Sequence, residues 1–464
     1  MASFHSRIAI FLQHFTSDIL IIGSGPGGAT CARELARRGK RVLILERGND
    51  ERARPYYGTY AGPLLYADKS SFLYSQEGIN IIRPMMLGGA TSMYCGCAAP
   101  PPTWWKNGFG IDLDAHVSTT IEELELAPLP RELCGDASTR IAEAGRALGM
   151  AWQPQLKFMR PSRAGDGTKQ RSFRTLCGAK GTKQRSFRTL CGAKCMLGCR
   201  CGAKWNAAEF VDDAVRAGAE LKTRAIVKRV LIEDEHATGV EGTLDGDTFV
   251  ARAEKVIVCA GGIGTPRILQ ASGFRNAGEG LTLDTTVMVY GVTRERGSGN
   301  EPPMTYSWEN REAGYLLSTL MDPWLSYPLV MRSHLRELLR WTQWNHLLGV
   351  MIKLEDEISG GVMADGTIRK GLTTRDRERL RDGEQVARKI LIEAGAAESS
   401  LFMTPLRGTH PGSTARIGEI VDANLQTEIR SLYVCDASVF PRALARPTVL
   451  TIIALAKRLV AQLE

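Results

Sequence analysis

The stretch DILIIGSGPGGATCARELARRGKRVLILE, residues 18–46, decides the reading of this chain. Residues 18–22 form a short, almost wholly apolar run, the pattern of a strand buried on both faces of a parallel sheet. Gly23, Gly25 and Gly28 follow as G-x-G-x-x-G. The first glycine permits a tight turn, the second lets backbone approach a pyrophosphate, and the third lets a helix from about Pro26 pack closely on the strand. The phosphates then meet the free N–H groups at the start of that helix. Residues 41–45 read as the second strand, ending in Glu46, 23 residues after Gly23 and placed for a ribose hydroxyl. Taken alone, this unit fits FAD and NAD equally.

The chain has 464 residues, 44% of them hydrophobic, enough for two or three domains with sizeable cores. No apolar run reaches the roughly 18–20 residues of a bilayer span, and residues 7–15 (RIAIFLQHF) are too short and too polar for a signal peptide. We therefore expect a cytoplasmic protein with no membrane span. The eleven cysteines are odd in number and five crowd between Cys177 and Cys201, which speaks for free thiols or metal chemistry rather than a secreted disulfide framework. The net charge is +9, yet residues 160–204 hold twelve Lys or Arg against one acid, Asp166, so the rest of the chain carries about −2. Basicity is local, and no nucleic-acid partner is expected for the fold as a whole.

Past residue 46, a tyrosine-rich stretch (Tyr56, Tyr57, Tyr60, Tyr66, Tyr74) shows no clear period and reads as an excursion over the surface. It leads to Gly88 and Gly89, followed by small Ala90 and Thr91, a backbone suited either to an ordinary loop or to close passage beside a flat ligand. Residues 167–194 are an exact tandem repeat of GTKQRSFRTLCGAK, too short and too few for a solenoid. From Trp205 a helix, a hairpin and a strand over residues 255–259 lead to CAGGIGTPRILQASG. There Ala260, Gly261 and Gly262 allow close approach, and Thr265-Pro266 is expected to start a short helix. Residues 281–404 alternate in the manner of an antiparallel sheet, with one charged helix over about 374–394. A strand over 432–435, Asp436, Pro447-Thr448 and an apolar helix to about Leu463 follow.

These residues resemble the glucose–methanol–choline (GMC) flavin oxidoreductase family. The likeness lies in GSGPGGAT with Glu46, LGGATS at residues 87–92, GGIGTPRILQASG at 261–273, and GTHPGSTARIG, LYVCDASVFP and RPTVLTIIALA toward the end. It implies FAD, and an α/β fold: a Rossmann-like FAD-binding domain assembled from discontinuous segments (14–110, 205–280 and 411–464), with a second α+β substrate domain on an antiparallel sheet (111–166 and 281–410). Residues 167–204 stand as a basic, Cys-rich insertion. By resemblance Ser24, Arg47, Gly88, Gly89, Thr91, Val227, Ala260, Gly261, Asp436, Ala437, Pro447 and Thr448 join Gly23, Gly25, Gly28 and Glu46 along the cofactor.

The expected reaction is oxidation of an alcohol or sugar CH–OH to a carbonyl, with hydride passing to flavin N5 and the hydroxyl proton to a base. His410 holds the family's catalytic histidine position. The stretch Ala445-Arg446-Pro447 departs from the family, which usually carries a second His or Asn there. Either His410 works alone, or Arg446 serves as a fixed cation for an alkoxide, or the substrate class differs. Met93 stands about where covalently flavinylated members have histidine, so non-covalent FAD is expected; Tyr94 replaces a frequent asparagine. Cys191, Cys195, Cys199 and Cys201 are the candidates for zinc or an iron–sulfur cluster, but C-x3-C-x3-C-x-C is no standard pattern and we expect free thiols. Oxygen, a quinone and a redox protein are all open as electron acceptors. Two alternative readings are a catalytically impaired flavoprotein scaffold and an anionic-polymer binder using residues 160–204, with Phe173 and Phe187 as stacking groups.

Overall fold

The computed structural model describes residues 12–161 and 192–463. Nearly all of the tandem duplication, with Phe173, Phe187, Cys177 and Cys191, falls outside that range. The strand Gln13–Ile22 runs parallel to Asp247–Val258 on one side and Val42–Leu45 on the other. Glu220–Lys222 continues the parallel order beyond Val42–Leu45, and Leu432–Val434 pairs with the end of Asp247–Val258. Ala225–Glu233 and His236–Leu244 extend this seven-stranded sheet as antiparallel neighbours. Helix Pro26–Arg37 packs against both Ala208–Arg216 and the C-terminal helix Val449–Gln462. Leu20, Ile21, Ile44, Ile257, Leu450 and Ile453 are fully buried between these layers. Each such side chain removed from water is worth roughly 1.5–3 kcal/mol, so the sheet's position is set by apolar burial on both faces. All the parallel strands then end on one edge, at Ile22, Leu45, Lys222, Val258 and Val434. That edge is where ligands of such sheets bind.

The second sheet has nine strands. Thr286–Val292 and Leu347–Leu354 form its antiparallel centre, followed by Tyr315–Thr319 and Tyr306–Asn310. Period-two alternation sends Val287 and Val289 to one face, under helices Asp136–Ala147 and Thr374–Glu393, and Met288 and Tyr290 to the other, over Tyr327, Met331 and Trp344. Thr373 caps helix Thr374–Glu393 in a reciprocal box with Asp376. Strands Leu73–Tyr74, Asn80–Ile81 and Gln153–Pro154 also join this sheet, so it draws on segments well before residue 281. A buried bidentate pair, Arg407 to Asp322 at 2.6 and 2.7 Å with the Tyr290 hydroxyl donating to the same carboxylate, fixes the chain three residues before His410.

Two local expectations are corrected. The tyrosine-rich stretch is not a surface excursion, because Tyr57 and Tyr66 are buried against Met86. The helix expected to start at Thr265-Pro266, with Thr265 as cap, starts five residues earlier and spans Gly261–Ala271, with Pro266 inside it. Proline cannot donate to the Gly262 carbonyl four residues back; that carbonyl accepts the Thr414 hydroxyl instead, at 2.9 Å. Among the described residues no helix is long and apolar enough to cross a membrane.

Candidate active site

At the carboxyl edge of the parallel strands lies a cavity of about 490 Å³, within the roughly 300–1,000 Å³ range of small-molecule and cofactor sites. Gly23, Ser24, Gly25, Glu46, Arg47, Gly89, Val227, Ala260, Gly261, Asp436, Ala437 and Thr448 line it, and so does His410. Gly28, Gly88, Thr91, Arg446 and Pro447 do not. A side chain at Gly28 would come within 2.0 Å of the Gly23 carbonyl oxygen, and Gly23 itself has φ +100° with its missing Cβ 2.4 Å from the Cys259 carbonyl. These two glycines let helix and turn meet, whereas a Cβ at Gly25 would meet no protein atom. Gly88 donates its N–H to Ser24 Oγ at 3.1 Å, and Thr91 bridges the Gly88 carbonyl to the Ala207 N–H, both behind the wall.

Two carboxylates organise the backbone around the cavity. Glu46 accepts the Ser24 N–H (3.0 Å) and Oγ–H (2.6 Å) on one oxygen and the Gly48 N–H (2.6 Å) on the other. Burial pushes its carboxyl pKa up, and those hydrogen bonds oppose the rise. Asp436 accepts the Gly261 N–H (2.8 Å), the Thr265 hydroxyl (2.6 Å) and the Ser438 N–H (2.7 Å). Thr265 is thus committed to this carboxylate rather than to capping a helix. Arg47, Arg83, Lys228 and Arg267 bring cations to the lining, of which Arg83 pairs with Asp68 at 3.0 Å. The sequence reading missed Arg83, Lys228 and Arg267, which sit in no motif. Unobstructed space at Gly25, the start of helix Pro26–Arg37 and cationic walls together fit a dinucleotide diphosphate. The residues present suit FAD.

His410 also lines the cavity. Its Nδ1 lies 2.8 Å from Asp284 Oδ2, and Asp284 Oδ1 accepts the Ala445 N–H at 3.1 Å. A carboxylate only accepts, so the network assigns the proton to Nδ1 and leaves Nε2 as the basic nitrogen. Asp284 (φ 46°) and Ala445 (φ 53°) both sit in the left-handed region, a cost tolerated where geometry is fixed by its surroundings. Lys353, buried beneath, donates from Nζ to Thr409 Oγ1 at 2.5 Å and Thr286 Oγ1 at 3.2 Å. Burial pushes the His410 pKa below its ordinary 6.5, the Lys353 charge adds to this, and Asp284 works against both. Neither Asp284 nor Lys353 was foreseen: each is the one charged residue in an otherwise uncharged stretch, and their partners lie far along the chain.

Arg446 turns away from the cavity, pairing with Glu309 on the antiparallel sheet and donating to the Pro100 carbonyl at 3.1 Å. Pro447 is buried one position before Thr448, the N-cap of the last helix. Tyr94 donates its hydroxyl to the Trp205 carbonyl at 2.9 Å. Cys199 and Cys201 have sulfurs 3.6 Å apart, Cys195 is buried, and Cys191 lies outside the described residues. Among the described residues no cluster of three or more His, Cys, Asp or Glu is arranged to hold a metal.

Fold and cavity define a dinucleotide-binding protein with a second, antiparallel sheet. The N- and C-terminal regions characteristic of GMC oxidoreductases match residues 64–286 and 368–456, and an NAD(P)-binding Rossmann-like domain matches residues 21–55. An uncharacterised protein of Methanocaldococcus jannaschii is 26% identical over 448 residues, covering 96% of this chain and 99% of that one. A long-chain-alcohol oxidase of Arabidopsis thaliana is 25% identical over 430 residues, 83% of this chain but 53% of the plant protein. The solved pyridoxine 4-oxidase from Mesorbium loti shares the fold with a TM-score of 0.70 at 16% identity, covering 96% of this chain and 99% of that one. The chain belongs to the GMC oxidoreductase family, and is an FAD-dependent enzyme of the alcohol dehydrogenase/oxidase class.

Proposed function

We propose that the protein oxidises a primary or secondary alcohol to its carbonyl with non-covalently held FAD, and that His410 is the base. The observation that carries this reading is the His410–Asp284 pair, with His410 on the wall of the cofactor cavity. FAD, when bound, would supply the hydride acceptor for the carbinol carbon. Ser24, Gly25 and the start of helix Pro26–Arg37, with Arg47, would hold the diphosphate; Thr448 and the start of the last helix would lie at the flavin end. His410 Nε2 takes the hydroxyl proton, and Asp284 fixes the ring's tautomer and stabilises the imidazolium that forms. Because the His410 pKa is depressed, the imidazole is neutral and able to accept at neutral pH. Arg446, held by Glu309, positions the entry to the last helix. Met93, packed near Met86, offers no nucleophilic nitrogen, which supports non-covalent FAD. Cys31, Cys134, Cys259 and Cys435 are buried thiols outside any disulfide, which suits a reducing compartment, and we place the protein in the cytoplasm. The plant relative's name supports a CH–OH donor.

The test is anaerobic mixing of the purified holoprotein with a panel of aliphatic, aromatic and sugar alcohols while the flavin bands are followed. Bleaching by at least one class is expected. A protein that binds no flavin after reconstitution, or stays oxidised against the whole panel, contradicts the reading.

A further inference from the structure

We propose that the face built from residues 64–72 and 324–341 docks on an anionic lipid bilayer surface. The sequence of residues 323–344, PWLSYPLVMRSHLRELLRWTQW, packs its inner side normally: Tyr327, Met331 and Trp344 are buried in the core beneath. Its outer side is apolar as well. Leu335 and Leu339 are each 74% exposed, and as an i,i+4 pair across the consecutive helical turns Leu335–Leu338 and Leu339–His346 they stand on one side. Trp324 is also exposed, its ring 5.0 Å from that of Trp341.

A second segment continues the patch. The guanidinium of Arg332 lies 5.1 Å over the exposed Phe72 ring and donates to the Tyr74 hydroxyl at 2.5 Å, and the Tyr60 hydroxyl lies beside the backbone of Leu325 and Trp324. Leu65, 62% exposed, belongs to the same surface segment as Phe72. Single exposed leucines need no explanation, but leucines, a tryptophan and a phenylalanine gathered on one face do.

Charge identifies the occupant. Arg332, Arg336 and Arg340 recur every fourth residue through the patch, and Lys69 adds a cation from the other segment. The acids are few: Glu337 in the helical segment, and Asp68, which is neutralised by Arg83. Leucine and tryptophan to insert, with arginines whose stems lie along the apolar surface and whose heads reach phosphate, is the composition of a segment lying in a bilayer's interfacial plane. The anionic cytoplasmic leaflet attracts such cations. The segment that carries Leu65 is tied to the cavity wall, since Met85, a lining residue, donates its N–H to the Tyr66 carbonyl at 2.7 Å.

The experiment is sedimentation of the full-length holoprotein with vesicles of phosphatidylcholine alone or with about one third phosphatidylserine, at low and high salt. Binding to the anionic vesicles, weakened by salt and absent from neutral ones, is expected. Leu335→Ser/Leu339→Ser should weaken it about tenfold or more, and Arg336→Glu should weaken it too. These residues face solvent, so thermal unfolding in the absence of lipid should match that of the parent. Three results would overturn the proposal: no binding to anionic vesicles, unchanged binding by the double leucine variant with loss on deleting residues 167–180, or a dimer in sedimentation velocity that the leucine variant dissociates.

Discussion

The two sheets of this molecule encode their share of the site in opposite ways. The parallel sheet writes its contribution in glycine and in strand ends: Gly23, Gly25 and Gly28 stand within six residues of one another, and their steric demands are local. The antiparallel sheet contributes chemistry through isolated polar groups. Asp284 and Lys353 meet at His410 and Thr409 only because Thr286–Val292 and Leu347–Leu354 pair in register, Thr286 opposite Lys353. A cofactor cradle built on backbone proximity leaves a motif, and His410 stands in one, whereas the side chains that hold it, drawn from distant segments, leave none.

Substitutions on the two sides should separate binding from chemistry. The largest effect is expected at Gly28→Val. The clash is with backbone that cannot yield, so the purified protein should lack flavin absorption even after reconstitution, or fail to fold; a flavin-loaded variant would break the contrast. Next is Asp322→Ala, which leaves Arg407 buried without its counterion and should cost about 3–5 kcal/mol in denaturant unfolding. Burial alone would raise the Asp322 carboxyl, but the Arg407 charge and hydrogen bonds outweigh it and hold it below the ordinary 3.8. The pair's stabilisation is therefore present above that value and lost as pH falls through the lower folded pKa.

Smaller effects should sharpen the assignment of the base. Asp284→Asn should lower the plateau rate of flavin reduction by roughly tenfold or more without releasing flavin. It removes the charge that favours imidazolium, so the acidic limb of the rate profile should move to lower pH. Lys353→Met removes a cation that disfavours imidazolium, so the same limb should move to higher pH. Stopped-flow pH profiles of the two variants check both signs; shifts in the same direction would contradict the network.

Much of the parallel half was legible because residues 18–46 satisfy strand, turn, helix and strand together. The helix at Gly261 was misplaced because Thr265-Pro266 mimics a start signal, while the true start depends on Asp436, which follows the distant strand Leu432–Val434. Burial of Tyr57 and Tyr66 depends on Met86 and on Leu197, whose carbonyl accepts the Tyr66 hydroxyl, neither of which the local pattern announces. Arg446 shows the converse: a cation offered for the site by family resemblance is captured by Glu309 from a strand far away in sequence.

The measurement closest to the central claim is the anaerobic rate of flavin reduction by a bleaching alcohol in His410→Ala, followed in protein whose flavin content matches the parent. The account predicts a fall of roughly 10²-fold or more, together with loss of the acidic limb that titration of His410 imposes on the parent. Reduction at the parental rate with the limb intact would remove His410 from the chemistry.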